Sequence, residues 1–272
     1  MFTAFVISLR EGAEIAIILA VIMAYLRKLE QSGENKRVWF GVGAAVVLSI
    51  LSGVVINALI GANNAEGFQV ILEGSFKILA VILLTYMTIW MKRQSAVAAS
   101  SLQVRVQKAL DSGSVWALAT LAFVSVIREG IETVLFIVSA TEKASTLSIA
   151  GGVVLGFGLA SVIGYVLYRG TYRLQLRTFF NAMSVLLMIM AAGLLAGGIH
   201  EFQEIGIIPE GIKHIWNTKA ILSQASLVGG LMKAIFGYRE SPNLVEVISY
   251  AAYLLGAFLL YFKPVSRRVE QD

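Results

Sequence analysis

One five-residue phrase is written twice inside apolar sequence, as Arg10-Glu11-Gly12-Ala13-Glu14 and again 118 residues on as Arg128-Glu129-Gly130-Ile131-Glu132. Each copy sets three formal charges in a stretch long enough to cross a bilayer. A charged side chain near the middle of a membrane helix costs roughly 2.5–3.5 kcal/mol. Six of them carry a gross penalty of about 15–20 kcal/mol on that scale, which no lipid-facing arrangement absorbs. The two phrases must therefore face each other, or a wet cavity, inside a helical bundle.

The rest of the chain is built for lipid. Of 272 residues, 57% are hydrophobic and 14% charged, and the mean hydropathy is +0.78. About 20 apolar residues suffice for a transmembrane helix. Seven such spans are expected: Thr3–Leu26, Val38–Ile60, Val70–Met91, Val115–Ala140, Ile149–Tyr168, Phe179–Ile199 and Val245–Phe262. Pro209, Pro242 and Pro264 all fall between or beyond them, so no span carries a proline kink. The first span lacks a basic leader and a small-residue cleavage site, which argues against a cleavable signal.

Charge sorts by loop. Arg27, Lys28, Lys36 and Arg37 follow the first span, Lys92, Arg93, Arg105 and Lys108 the third, Arg169, Arg173 and Arg177 the fifth, and Lys263, Arg267 and Arg268 the seventh. Residues 61–69 hold no Lys or Arg, and residues 141–148 only Lys143. The positive-inside rule then sets the N-terminus outside and the C-terminus in the cytoplasm. The segment from His200 to Leu244 falls outside despite Lys213, Lys219, Lys233 and Arg239. The net charge of +5 reflects this sorting rather than a nucleic-acid surface. The absence of cysteine excludes disulfides, thiolate metal sites and cysteine nucleophiles.

The match between the copies extends upstream, Phe5-Val6 aligning with Phe123-Val124. Three spans follow from each motif, the first set starting outside and the second inside. The expected fold is an all-α integral membrane protein: two inverted three-helix repeats (1–110, with its cytoplasmic segment, and 111–200), an external amphipathic segment (201–244), and a seventh helix with a cytoplasmic tail (245–272). In such inverted repeats the substrate site lies near the midplane, at the repeat interface. The third helices are less alike, Glu73 having Phe180 as its counterpart.

Glutamates three apart on a helix project from one face, so joining the two motif helices gathers Glu11, Glu14, Glu129 and Glu132 around one volume. Gly12 and Gly130 permit close helix approach or ligand access to backbone. Carboxylates suit hard cations and protons. Arg10 and Arg128, four residues before Glu14 and Glu132, can neutralise the empty site. A lone intramembrane Arg–Glu pair is often a structural staple, but here each arginine meets two glutamates, and the surplus negative charge points to a cation.

Arg-Glu-Gly-x-Glu in the first and fourth of seven spans resembles the oxidase-dependent iron permeases of fungi and bacteria, and the resemblance covers essentially the whole chain. It includes Leu72-Glu73-Gly74, Ala191-Ala192-Gly193-Leu194, and Phe236-Gly237-Tyr238 with Pro242. Small size is similar to the bacterial members. The resemblance implies Fe³⁺ transport across an inner membrane with the four motif glutamates as ligands. It also implies an extracytoplasmic oxidase or peroxidase-like partner that hands over iron, and neither enzyme activity nor a tightly bound cofactor.

Other polar residues have less pointed readings. Glu73 and Lys77 are spaced for an ion pair within one helix, and the resemblance adds Glu73 as a secondary metal residue. Glu201 and Glu204, beside His200, could capture iron at the outer rim, although rim charges are usually solvated. His214 reads as a loop residue, Glu246 as interfacially solvated, and Asn57 as an interhelical hydrogen-bonding group. Ile212–Tyr238 reads as one or two short amphipathic helices at the outer surface, and Ala96–Leu110 as an amphipathic cytoplasmic helix. Two rival functions remain: a divalent-cation or proton-coupled exchanger, since carboxylates do not fix valence, and a di-iron enzyme. The enzyme needs Glu-x-x-His pairs, and the chain has only His200 and His214.

Overall fold

The described residues of the computed structural model are 1–62, 66–94, 98–112, 114, 116–140, 145–169, 176–209, 211–224 and 226–262. Among them are nine α-helices and no strand: α1 (Phe2–Lys28), α2 (Asn35–Ala62), α3 (Glu66–Gln94), α4 (Ala98–Asp111), α5 (Ala117–Ala140), α6 (Thr146–Arg169), α7 (Leu176–Glu204), α8 (Leu227–Phe236) and α9 (Leu244–Phe262). Lipid offers backbone no hydrogen-bond partners, so apolar segments of this length close their bonds internally as helices. Five are long and apolar enough to cross a membrane: Asn35–Ile56, Gly67–Ile89, Thr146–Arg169, Phe180–Glu204 and Leu244–Phe262. The motif helices α1 and α5, of 27 and 24 residues, match them in length and differ in carrying the motif charges.

Small residues decide which helices meet. The buried residues of α6 are Gly152, Gly156, Ala160 and Gly164, one every fourth position and hence one stripe along the helix. α1 lies in that stripe. A Cβ at Gly156 would come within 2.7 Å of Phe5 O and Ser8 Cβ, and one at Gly164 within 2.7 Å of Ala16 Cβ. A second stripe, Gly41, Ala45, Ser49 and Gly53 of α2, receives α5: Gly41 lies against Ala119, Ser49 against Gly130 and Gly53 against Val134. Close backbone approach through small residues is how helices associate where lipid removes the hydrophobic drive. α1 and α6 run parallel, as do α2 and α5, whereas α3 and α7 are antiparallel, Gly74 lying against Phe202 and Ile78 against Gly198. Exchanging α1–α3 for α5–α7 maps the α1–α6 packing onto α5–α2 and the α3–α7 packing onto itself.

Two large apolar layers fill most of the bundle, and a smaller one, Met188, Ala257 and Tyr261, joins α7 to α9. One large layer joins Ile22, Leu26, Val38, Val42, Leu118 and Val126 to Val106 of α4. There α4 crosses the ends of both motif helices, and Tyr25 donates to Gln107 Oε1 at 3.0 Å. The helix expected at Ala96–Leu110 is thus α4, shifted slightly toward the C-terminus, with residues 95–97 outside the described residues. The other layer joins Val6, Ile7, Ala80, Leu84, Phe136, Leu187, Met190 and Ala191.

The segment after α7 is mostly irregular, with one short helix. The Ser226 side chain caps α8 by accepting from the Gly229 N–H at 3.0 Å, and Gly237 ends it in the left-handed region at φ 65°, a conformation glycine adopts without steric cost. α8 packs on α7 and α1. Gly237 meets Gly193, the Gly193 Cβ position lying 2.5 Å from the Gly237 Cα, so the two glycine-bearing phrases of the sequence are one backbone contact.

Glu246 differs from the expected solvated interfacial residue. It is 2% exposed, lies 3.2 Å from Arg239 Nε and 2.8 Å from His200 Nδ1, and accepts from Asn243 Nδ2 at 3.0 Å. Two cationic or ring-nitrogen neighbours and one amide stand in for the water an interfacial carboxylate would have, although Glu246 Oε2 accepts no hydrogen bond. His214 is an exposed loop residue as expected, its Nδ1 2.6 Å from Ser241 Oγ. The side chains of Asn57, Lys92, Arg93 and Arg177, and all of Lys143, Arg173, Lys263, Pro264, Arg267 and Arg268, lie outside the described residues.

Candidate functional site

Helix rise of 1.5 Å per residue places Glu11 and Glu129 about 14 and 18 Å beyond the first residues of α1 and α5. Gly12 and Gly130 each let the motif helix come close to a neighbouring helix. Gly12 lies against Ala160 and Phe157 of α6, and Gly130 against Ser49 of α2. Each motif helix is thereby clamped on its outer side by a helix of the other half, while its glutamates face the opposite motif.

Glu11, Glu14 and Glu129 offer carboxylate oxygens that all lie within 4.8 Å of one another. Three carboxylates at that spacing repel unless a cation, a proton or a hydrogen-bond donor lies among them. Arg10, 2% exposed, supplies part of the balance: its Nη1 pairs with Glu11 Oε1, and its Nη2 lies 3.1 Å from Glu14 Oε1. Glu132 stands apart from the triad and takes Arg128, whose Nε donates to Glu132 Oε1 at 3.1 Å. Arg128 Nε is 4.0 Å from Glu129 Oε1, and its Nη2 is 2.6 Å from Met87 Sδ of α3. At 41% exposure, Arg128 is far more open than Arg10.

The balance is incomplete. Four glutamates and two arginines leave two surplus negative charges. Buried oxygens Glu11 Oε2, Glu129 Oε2 and Glu132 Oε2 accept no hydrogen bond. Buried polar atoms are nearly always partnered, so orphan carboxylate oxygens around a shared volume fit an incoming hard cation.

The other sequence candidates do not join this cluster. Glu201 is not a solvated rim residue: it is 9% exposed and accepts from Lys77 Nζ at 2.8 Å. Glu204, half exposed, pairs with His200 Nε2 at 3.1 Å. Glu73 lies one turn before Lys77 on α3 and is partly buried. Sequence reasoning missed Met87, Ser49 and the two small-residue stripes; the signal available was a glycine, alanine or serine at every fourth position of the second and fifth spans.

Comparison with known proteins agrees with this chemistry. Residues 1–265 match the Iron permease FTR1 family. The chain is 35% identical to a ferrous iron permease EfeU of Yersinia pestis, over 97% of this chain and 94% of that protein. It is 36% identical to a ferrous iron permease EfeU of Escherichia coli O6:K15:H31 (strain 536 / UPEC) and to one of Shigella sonnei (strain Ss046), in each case over 97% of this chain and 96% of the other. No solved structure matches. A multi-pass helical chain with a carboxylate cluster at its centre, similar along nearly its whole length to iron transporters, belongs to the iron permease FTR1 family and is a transporter rather than an enzyme.

Proposed function

We propose that this permease carries iron into the cytoplasm through Glu11, Glu14, Glu129 and Glu132, in a seven-span bundle in which α1 and α5 join the five apolar helices. The observation that carries the reading is the triad of Glu11, Glu14 and Glu129 with its orphan oxygens. The exchange of packing partners between α1–α3 and α5–α7 supports two inverted repeats, which would set the cluster at the repeat interface. The sorting of basic residues supports an outside N-terminus.

In this reading Arg10 and Arg128 are tethered counterions. They hold the carboxylates while the site is empty and swing aside as iron binds the same side chains, so the site never presents four bare charges to hydrocarbon. The membrane potential favours inward movement, worth about 2.3 kcal/mol per charge per 100 mV, or about 7 kcal/mol for a bare trivalent ion.

An all-oxygen donor set favours Fe³⁺, delivered by an extracytoplasmic iron-oxidising partner. A second reading, Fe²⁺, has its own support: two surplus negative charges balance a divalent ion, and the relatives are named for ferrous iron. Uptake of ⁵⁵Fe into proteoliposomes, offered as Fe³⁺ and as Fe²⁺ under reductant, separates the two. Alanine at all four glutamates should abolish uptake of whichever form is carried; uptake that survives would sink the assignment.

A further inference from the structure

We propose that Lys77 and Glu201 form the latch that closes the outer path to the glutamate cluster, with Glu201 acting as the partner of Lys77 and not as an iron ligand. The proposal rests on the glutamate site and the orientation given above. Lys77 and Glu201 are 5% and 9% exposed, and their 2.8 Å contact joins α3 to α7. Lys77 has an acid one turn away on its own helix, Glu73, and its ammonium reaches across to Glu201 in the other half of the molecule.

The backbone is shaped for this contact. A Cβ at Gly74 would come within 3.2 Å of Glu201 Cβ, and one at Gly198 within 3.3 Å of Lys77 Cβ. Glycine on both sides lets α3 and α7 close most tightly where the charges meet. One turn inward from Lys77 the apolar layer begins with Ala80, then Leu84, meeting Ile7, Phe136, Leu187 and Ala191, all essentially inaccessible. Ile7 lies one turn before Glu11, and Phe136 one turn after Glu132. Latch, dry layer and carboxylates therefore follow one another inward.

A hydrated cation crosses a dry layer only if its helices part. Separating α3 from α7 breaks the Lys77–Glu201 contact, and the water that enters then solvates both charges. While the helices are closed, no water takes the place of either partner, and removing one of a buried pair is strongly destabilising. The pair thus favours the closed state without binding cargo.

Charge reversal separates a latch from a ligand. Lys77→Glu and Glu201→Lys, each alone, should lower ⁵⁵Fe uptake about tenfold, and the two combined should recover it to within about threefold of wild type, since a reversed pair keeps its attraction. A reversed pair as inactive as the single variants while melting at the wild-type temperature would overturn the proposal, as would single variants of full activity. The cysteine-free chain allows a second test that needs no buried charge. Lys77→Cys with Glu201→Cys, bridged by a bifunctional thiol reagent with a reducible spacer, should block uptake until reductant is added; full uptake by the bridged protein would refute the latch. None of these variants touches the motif, so failure of the glutamate reading shows separately, as uptake that persists in Glu14→Gln and Glu132→Gln.

Discussion

Replacing Gly12 by alanine tests whether helix packing sets the geometry of the carboxylates. The added Cβ would lie 2.8 Å from Ala160 Cβ and 2.8 Å from Phe157 Cδ1. Carbon atoms rest about 3.5–4.0 Å apart, so α1 and α6 must separate by about 1 Å or Phe157 must turn away. Overpacking of this kind costs about 1–3 kcal/mol. If α1 moves, Glu11 and Glu14 move with it relative to Glu129, and a misplacement of about 1 Å at a reacting site costs up to about 100-fold. Uptake of ⁵⁵Fe should fall about 10- to 100-fold, and Ala160→Gly in the same chain should return part of it by removing one of the two clashing atoms. Gly158→Ala on the same helix α6 meets nothing within 4 Å and should behave as wild type. Wild-type uptake and melting temperature for Gly12→Ala would refute the link between packing and site.

The two motif arginines should differ although their sequence contexts match. Arg10→Met strands Glu11 and Glu14 in a buried setting and should cost about 3–5 kcal/mol of stability; Arg128→Met strands Glu132 but removes a 41% exposed side chain and should cost less, a contrast measurable by thermal unfolding in detergent. Val106→Ala removes two buried methylene equivalents from the layer that holds α4 to α1 and α5, which should lower stability by about 1.5 kcal/mol and raise the rate of proteolysis within α4.

The motifs spoke clearly in the sequence because charge in hydrocarbon has few solutions: residues that lipid cannot tolerate must meet inside. That logic calls for Glu11, Glu14, Glu129 and Glu132 to share one volume; in the fold Glu11, Glu14 and Glu129 lie together, and Glu132 stands beside them with Arg128. Long apolar runs made the helices legible for the same reason, backbone having no other way to satisfy itself in lipid. Local spacing along one helix does not name partners on other helices. Lys77 sits one turn from Glu73, but its contact with Glu201 depends on α3 and α7 closing through Gly74 and Gly198, which no window along one helix contains. Glu246 looked interfacial from its place at the start of α9, whereas its burial depends on Arg239, His200 and Asn243 arriving from elsewhere in the chain. The difference between Arg10 and Arg128 is likewise tertiary: the motifs are nearly identical, but Arg10 is 2% exposed and Arg128, beside Met87, is 41% exposed.

In the proposed mechanism iron binds among Glu11, Glu14 and Glu129. X-ray absorption at the iron edge of purified, iron-loaded protein tests it most directly, for wild type and for Glu129→Gln and Glu132→Gln. Wild type should show an all-oxygen shell with carboxylate character, Glu129→Gln its loss, and Glu132→Gln, whose carboxylate stands outside the triad, a smaller change. An imidazole shell drawn from His200 or His214, or a spectrum unchanged by Glu129→Gln, would contradict it.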